Sequence, residues 1–309
     1  MIVTLCGGVG AARFLAGLVQ VTDPSEITAI VNTGDDLVLH GLSISPDLDT
    51  VSYTLAGLNN TETGWGVTGE TWRAMERLGA LGGESWFALG DLDLATHLFR
   101  SQLLSRGLTL SEATDELRRA MGIGVRLLPM SNDPVATKVT SRQTGQELDF
   151  QEYFVRHHHA PRLSAIRFAG AMEATPGPDV LSSIASAERI VIAPSNPLVS
   201  LGPILAVPGI AEALIARRRH SVAISPIVAG AALKGPAADM LEDLGHEVSV
   251  LGVARLYAPY VATFIIDHQD AHHKAAIEAL GMACTVTNTV METNEIAVSL
   301  AKVTLEELS

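Results

Sequence analysis

Short apolar runs alternate with segments of helical periodicity along most of this chain, and this alternation constrains the fold more than any other feature. Each run is four or five residues long and rich in Ala, Val and Ile. Strands that are apolar along their whole length are typical of a parallel sheet covered by helices on both faces. We therefore predict an α/β, Rossmann-like fold with a mostly parallel, doubly wound sheet. The predicted strands are residues 2–6, 28–32, 189–193, 221–224, 247–251, 262–266 and 283–287.

Residues 45–122 interrupt the alternation, because they hold several helical patterns and no strong strand pattern. We predict that they form a mainly helical insertion, while residues 1–44 and 123–309 form a Rossmann-like nucleotide-binding core. A chain of 309 residues suits one large body with an insertion. Residues 124–150 then alternate in a β-like way, which predicts a small β-hairpin region with Gly145 at a turn.

Composition excludes several classes of protein. Asp and Glu number 34 against 21 Lys and Arg, a net charge of −13, whereas a nucleic-acid surface needs clustered basic residues. No stretch approaches the ~20 apolar residues needed to cross a bilayer. The only cysteines, Cys6 and Cys284, cannot form a disulfide framework. We therefore expect a cytoplasmic protein that binds neither nucleic acid nor membranes.

The first apolar run leads directly into the sequence GGVGAARF, residues 7–14. A buried strand, a glycine turn and a helix start are typical of an anion cradle, because backbone N–H groups at the helix N-terminus point at negative charge. The sequence departs from the common fingerprints, since Arg13 replaces the third glycine of a dinucleotide loop and the lysine of a P-loop is absent. The loop predicts a phosphorylated ligand, and a tight turn without a ligand is the alternative.

Three pairs of aspartates lie in loops marked by Gly or Pro. Carboxylate oxygens suit magnesium, which completes its shell with waters and substrate phosphates. Solvated turn residues are the alternative for each pair taken alone. Asp35 also permits a different interpretation, in which an acidic residue beyond a glycine loop binds the ribose of a dinucleotide. The pairs are Asp35 with Asp36, Asp47 with Asp49, and Asp91 with Asp93.

Polar side chains follow a later predicted strand in the segment PSNPLVS, residues 194–200. Their hydroxyl and amide groups suit the polar edge of a nucleotide base, and helix capping is the alternative. A similar polar turn holds Asp133, ahead of another predicted strand. The acidic and histidine-rich segment 267–273 lacks HExxH spacing, and we interpret it as a helix cap rather than a metal site.

Taken in order, these motifs resemble the 2-phospho-L-lactate transferase family of deazaflavin coenzyme (F-420) biosynthesis, and in particular its actinobacterial members. The resemblance runs from the first residues to about residue 254. It implies an enzyme in which the terminal ribityl hydroxyl of 7,8-didemethyl-8-hydroxy-5-deazariboflavin attacks the phosphorus of a GDP-linked three-carbon acid and releases GMP. It also implies a homodimer. The motifs are GGVGAARF, VNTGDD, HGLSISPDLDT, GDLDLATH, LLPMSNDPV, PSNPLVSLGPI and SPIVAG.

Carried over motif by motif, the resemblance implies Asp35 and Asp49 as the catalytic residues and the ligands of Mg²⁺. The donated acid stays open among phospholactate, phosphoenolpyruvate and a phosphoglycerate. The residues expected to bind the substrates are Gly8, Gly10, Ala11, Arg13, Asp36, Asp91, Asp133, Ser195, Asn196 and Ser200.

One motif departs from the family pattern, because Leu92 stands where GDRD has a basic residue. Arg100 or Arg73 could supply the missing charge. The competing hypothesis is a non-catalytic regulator of the gluconeogenesis-factor type that binds a nucleotide sugar or dinucleotide. The paired carboxylates of SPDLDT and GDLDLATH favour the enzyme, because a sensor needs no second acidic site.

Overall fold

The computed structural model describes residues 1–61, 64–232 and 235–308. Strands and helices alternate through most of this length. The strands, labelled β1 to β14 in chain order, are Ile2–Cys6, Ile27–Val31, Leu37–Leu39, Leu42–Ile44, Arg126–Pro129, Ala136–Ser141, Glu147–Asp149, Leu163–Ala169, Arg189–Ile192, Ser221–Ile224, Ile227–Val228, Ala231–Ala232, Thr263–Asp267 and Ala283–Thr287.

The α-helices are labelled in the same way. The helices α1 to α12 are Gly8–Leu18, Pro46–Leu55, Arg73–Ala80, Asp91–Ser105, Leu110–Ala120, Val180–Ser186, Gly202–Ala206, Ile210–Ala216, Ala237–Asp243, Val250–Tyr257, Lys274–Glu278 and Asn294–Glu306. A π-helical turn, Glu152–Arg156, follows β7.

The centre of the fold is a seven-stranded parallel sheet in the order β14-β13-β10-β9-β1-β2-β5. This confirms the predicted fold class. Six of the predicted runs are strands, but residues 247–251 are not. Ser249 accepts a hydrogen bond from the Gly252 N–H at 3.0 Å and caps α10, so the apolar residues there bury as a helix. The seventh strand is β5, which the sequence interpretation had placed in the hairpin region.

Side chains of the central strands alternate between two cores, one on each face of the sheet. In β1, Val3 and Leu5 pack into the core on one face, and Ile2 and Cys6 pack into the core on the other. Successive side chains of a strand point to opposite faces, so a strand covered on both faces is apolar throughout. The continuous apolar runs of the sequence have this cause.

The described residues form three smaller antiparallel sheets, of which the shortest pairs β11 with β12. Strands β3 and β4 form a hairpin whose turn residues, His40 and Gly41, have φ values of 54° and 75°, as in a type I′ turn. Strands β7, β6 and β8 form a three-stranded sheet. Gly145, with φ of 70°, lies in the β6–β7 connection. The predicted hairpin is therefore confirmed for residues 136–149.

Between β4 and β5 the chain is mainly helical, with α2 to α5 in succession. Leu48 and Val51 of α2 pack into the same core as α1, so this helix covers the central sheet directly. The predicted domain boundaries at residues 45 and 122 stay a prediction. Within the described ranges, every helix is too short or too polar to span a bilayer.

The order of the strands predicts a crevice at the carboxyl ends of the central strands. The chain runs outward from β1 to β2 and β5, then returns to β9 on the other side of β1. The strand order therefore reverses between β1 and β9, and ligands of such folds bind there, beyond the carboxyl ends of the strands. The loops that follow β1 and β9 are in contact there, because the Gly7 N–H donates a hydrogen bond to Ser195 Oγ at 3.2 Å.

Candidate functional site

A carboxylate binds the backbone of the glycine turn that follows β1. Asp47 Oδ1 accepts a hydrogen bond from the Gly8 N–H at 2.8 Å, and Asp47 Oδ2 accepts one from Asn32 Nδ2 at 2.9 Å. Gly8 has φ of 74°, a conformation that favours glycine. A Cβ atom on Gly10 would collide with the carbonyl oxygen of Pro194. An anionic side chain thus occupies the N-terminus of α1, where the sequence predicts a phosphate.

Asp47 belongs to a group of three carboxylates, Asp35, Asp36 and Asp47, here called the acidic cluster. Asp35 and Asp47 are buried, and Asp36 Oδ2 accepts a hydrogen bond from Ser45 Oγ at 2.7 Å. Oδ1 of Asp35 and Oδ1 of Asp36 are buried and have no hydrogen-bond partner within the part of the chain that the structure describes. Two oxygens of the cluster therefore lack the partner that buried polar atoms normally have.

Burial dominates the electrostatics of the cluster. Burial and the charge of Asp47 raise the pKa of Asp35 well above its usual range. Burial also raises the pKa of Asp36, although Ser45 and Arg100 oppose the shift. The pKa of Asp47 rises from 3.8 to about 6 by burial, despite its hydrogen bonds with Asn32 and Gly8. The described side chains therefore set little counter-charge against these three carboxylates, and burial disfavours their charged forms.

The carboxylate oxygens of the acidic cluster are suitable ligands for Mg²⁺. Carboxylate oxygens are the ligands that this hard cation prefers, and a cation would satisfy the unpaired oxygens of Asp35 and Asp36. The hydroxyl oxygen of Thr33 is also buried and has no hydrogen-bond partner among the described residues. These orphaned oxygen atoms favour a bound cation over a purely structural role for the carboxylates.

A second group of polar residues, here called the Arg100 cluster, lies between α2 and α4. Both guanidinium Nη atoms of Arg100 donate to Asp49, with Nη1 at 3.1 Å from Oδ2. Arg100 Nη1 lies 3.3 Å from His97 Nδ1, and His97 Nε2 lies 3.1 Å from Asp93 Oδ1. The Tyr53 hydroxyl donates to Asp93 Oδ1 at 2.6 Å. Opposite charges meet within this cluster, unlike in the acidic cluster.

The Arg100 cluster also holds atoms that could bind a metal. Ligand atoms of Asp49, Asp93 and His97 all lie within 4.8 Å of one another. However, Asp49 is already neutralised by Arg100, whose side chain is only 2% exposed. A cation beside them would meet the guanidinium charge. The assignment of Asp49 to catalysis and magnesium stays a prediction.

Several predicted substrate contacts are engaged in local structure. Asp91 is exposed and holds the N–H and hydroxyl of Thr71 at 2.7 and 3.0 Å. Asp133 Oδ2 is likewise bound by the N–H and hydroxyl of Thr175. Neither aspartate belongs to the acidic cluster, and hydrogen bonds from these threonines lower the pKa of both.

The glycine-loop residues that follow Gly10 also have structural partners. Arg13 Nη1 donates to the Met291 carbonyl oxygen at 3.2 Å, and Ala11 is fully buried in the core. Whether Arg13 contacts a phosphate stays a prediction. Of the two arginines considered for the charge missing at Leu92, Arg100 is committed to Asp49, and Arg73 is exposed at the start of α3.

The loop after β9 holds the residues predicted to bind the nucleotide. Ser195 is buried against Gly7, and Asn196 Oδ1 accepts from the Leu198 N–H at 2.9 Å. Ser200 is buried, and its side chain lies close to Gly7. The structure thus brings Ser195 and Ser200 to the glycine turn, as expected for one site between β1 and β9.

Sequence reasoning missed four polar residues that belong to these clusters or contact them: Asn32, Tyr53, His97 and Thr137. His97 had a visible signal, because it stands four residues after Asp93 and three before Arg100, on one face of a helix. Asn32 had none, since its contact with Asp47 depends on the packing of β2 against the start of α2.

The doubly wound parallel sheet makes this a Rossmann-like protein. Its glycine turn and the acidic cluster lie where the strand order reverses, between β1 and β9, and such a site suits phosphorylated ligands. The family model described as 2-phospho-L-lactate transferase CofD matches residues 2–304, and the chain belongs to this family. The family indicated by the sequence motifs is therefore confirmed.

Similar proteins carry two related names. A phosphoenolpyruvate transferase of Kitasatospora aureofaciens is 46% identical over 309 residues, covering 98% of this chain and 96% of that protein. A 2-phospho-L-lactate transferase of Methanosarcina acetivorans is 38% identical over 300 residues, covering 97% of this chain and 96% of that protein. A crystal structure of a Bacillus halodurans protein covers 100% of this chain and 99% of its own, with a TM-score of 0.64 and 19% identity, and shares the fold alone.

Proposed function

We propose that this protein is a magnesium-dependent transferase of F-420 biosynthesis. It moves a phospholactyl or phosphoenolpyruvyl group from a GDP-linked donor to the ribityl hydroxyl of 7,8-didemethyl-8-hydroxy-5-deazariboflavin, with release of GMP, and works as a cytoplasmic homodimer. Family membership supports the reaction class. The observation that carries the proposal is the acidic cluster, which holds unpaired buried oxygens on Asp35 and Asp36 and binds the glycine turn through Asp47.

The proposed site of the GDP-linked donor lies between β1 and β9, where the strand order of the sheet reverses. In this proposal its diphosphate lies near Gly8 and Gly10, and the loop with Ser195 and Asn196 faces its nucleoside. Asp47 already binds the Gly8 N–H. A phosphate oxygen that takes this N–H must therefore displace the Asp47 carboxylate.

The acidic cluster supplies the ligands and the base. Mg²⁺ bound there would neutralise the diphosphate and stabilise the GMP leaving group. Asp35 and Asp47 would hold the cation, and Asp36 accepts the proton of the attacking hydroxyl at its unpaired Oδ1 atom. The ribityl oxygen forms its bond to phosphorus while the bond from phosphorus to the GMP oxygen breaks. Burial raises the pKa of Asp36, which makes its carboxylate a stronger proton acceptor than an exposed aspartate.

Of the two donor acids, we favour phosphoenolpyruvate. The actinobacterial relatives named phosphoenolpyruvate transferases are 42–46% identical to this chain, whereas the archaeal relatives named 2-phospho-L-lactate transferases are 36–38% identical. The preference rests on this difference in similarity, because the three-carbon acids differ only by small groups around one carbon centre.

A competition assay tests the proposal. The protein is given the acceptor, Mg²⁺ and equal amounts of the GDP-linked phospholactate, phosphoenolpyruvate and phosphoglycerate donors, and the product is analysed by mass spectrometry. We expect the phosphoenolpyruvyl product and GMP, both lost on chelation of the metal. A chain that binds a nucleotide sugar but forms none of the three products would instead be a regulator of the gluconeogenesis-factor type.

A further inference from the structure

Helix α4 presents polar side chains to the protein interior and apolar side chains to the outside. Asp93, His97 and Arg100 are buried on its inward face, where they form part of the Arg100 cluster. A surface helix normally shows the opposite arrangement, with an apolar stripe against the core and polar residues outside. Three apolar side chains on the outward face are between 38% and 57% exposed, and they are Leu92, Leu98 and Phe99. Exposed apolar side chains grouped on one face indicate a surface that another molecule covers.

The outward residues of α4 form one continuous band, here called the α4 stripe. They recur every three or four positions, which places them side by side along the helix. The inward face packs on β4 and α5 and donates hydrogen bonds to Asp49 of α2, so the stripe points away from these elements. The members of the stripe are Leu92, Ala95, Leu98, Phe99 and Gln102, and all of them are exposed.

Opposite charges flank the α4 stripe at its two ends. Asp91 is exposed at the first position of the helix, and Arg106 is exposed directly after its last residue. Between them, the outward side chains that the structure describes are uncharged. Two copies of a chain with a net charge of −13 repel each other, and this repulsion is least where an uncharged stripe meets another.

The order of residues along the α4 stripe fits a second copy of the same helix. A two-fold interface is self-complementary, because the same surface of both protomers takes part in it. An antiparallel copy centred between Leu98 and Phe99 brings these two residues of both protomers together. The same register places Asp91 near Arg106 of the partner subunit, once at each end of the contact. The stripe therefore matches itself in both apolar contact and charge.

We propose that the α4 stripe is the interface of a homodimer, in which two copies of α4 pack antiparallel about a two-fold axis between Leu98 and Phe99. The inference rests on the proposed function, because it assigns a surface to the homodimer of that proposal. A lipid surface fits less well, since anionic bilayers attract clustered basic residues and the stripe ends in one acidic and one basic residue. The partner subunit covers the helix whose inward face holds Arg100, so the contact also stabilises the Arg100 cluster.

Sedimentation velocity without substrates tests this interface. Wild-type protein should sediment as a dimer, and Leu98→Lys should raise the dimer dissociation constant at least about 100-fold, because two lysines then meet at the centre of the contact. The matched control is Ile215→Lys, since Ile215 of α8 is 50% exposed but lies outside α4. It should leave the dissociation constant unchanged. Circular dichroism melting of each variant checks that the fold is retained.

A cysteine at the centre of the stripe tests the antiparallel register. Cys6 and Cys284 are buried, so an added exposed thiol reacts without competition from them. The thiol of Leu98→Cys would lie beside its counterpart across the two-fold axis, and mild oxidation should produce a covalent dimer on a non-reducing gel. Ile215→Cys should stay monomeric on the same gel.

Three outcomes overturn the inference. A monomeric wild-type protein means that the stripe has another occupant, and its co-sedimentation with phosphatidylcholine vesicles would identify that occupant as a lipid surface. A Leu98→Lys variant that dimerises like wild type places the dimer contact elsewhere and leaves the proposed reaction untouched. A wild-type dimer whose Leu98→Cys variant forms no covalent dimer excludes the antiparallel register. Conversely, if the dimer depends on Leu98 but the protein forms no product with any donor, the proposed function fails and the interface stands.

Discussion

The acidic cluster and the Arg100 cluster each contain one aspartate of helix α2, but they differ in the balance of positive and negative charge. Asp47 and Asp49 are two residues apart in α2, and both are buried. Asp47 faces the glycine turn beside two other carboxylates, whereas Asp49 is neutralised by Arg100. Burial alone therefore does not distinguish the two aspartates. The distinguishing property is charge that the protein leaves uncompensated.

Helix geometry separates the two aspartates. Side chains two positions apart on an α-helix point about 200° away from each other, so they cannot share one ligand. The two aspartates of the motif SPDLDT could bind one ligand together only if the motif formed a loop. Because Pro46 starts α2 there, one aspartate turns toward β1 and β2 and the other toward α4.

The largest expected effect is the loss of stability when Asp49 is replaced. Asp49→Asn leaves the Arg100 guanidinium buried without its counter-charge, which should lower the free energy of unfolding by about 3–5 kcal/mol. Urea denaturation followed by circular dichroism measures the change. The double variant Asp49→Leu/Arg100→Met, which removes both charges, should recover most of it. A single variant that loses less than about 1 kcal/mol would mean that the Arg100 cluster is not a structural ion pair.

Asp35→Asn tests the opposite cluster and should separate activity from stability. Removing one ligand of the proposed magnesium site should lower kcat by about 100-fold to 1000-fold. The free energy of unfolding without Mg²⁺ should rise, because a neutral amide avoids both the burial of a carboxylate charge and its repulsion from Asp47. The comparison fails if Asp35→Asn is both active and less stable than wild type.

The acidic cluster also predicts how stability depends on pH in the absence of Mg²⁺. The pKa of Asp47 is raised to about 6 in the folded protein, so the folded state holds its proton more tightly than the unfolded state does. Stability should therefore fall as pH rises from about 4 to about 6, by at most about 3 kcal/mol from this residue. Asp47→Asn should flatten this part of the profile, measured by urea unfolding at each pH. A wild-type profile that rises over this range would contradict the assignment.

Sequence reasoning succeeded where local patterns decide the structure. The strand, glycine turn and helix at residues 2–18 follow from neighbouring residues, and so does the parallel sheet. The false strand at 247–251 arose because a short apolar run is compatible with a buried helix as well as a strand. The partners of Asp49 and Asp47 were not predictable. Arg100 stands 51 residues beyond Asp49, and only tertiary packing brings them together.

The smallest expected effect concerns the two exposed aspartates predicted to bind substrates. Each is held by one threonine and lies outside both clusters: Asp91 binds Thr71 and Asp133 binds Thr175. Asp133→Asn and Asp91→Asn should therefore leave kcat and both KM values within about twofold of wild type. Steady-state kinetics at saturating Mg²⁺ checks this beside Asp35→Asn. A tenfold rise in either KM for one variant would place that aspartate in contact with substrate and extend the functional carboxylates beyond the acidic cluster.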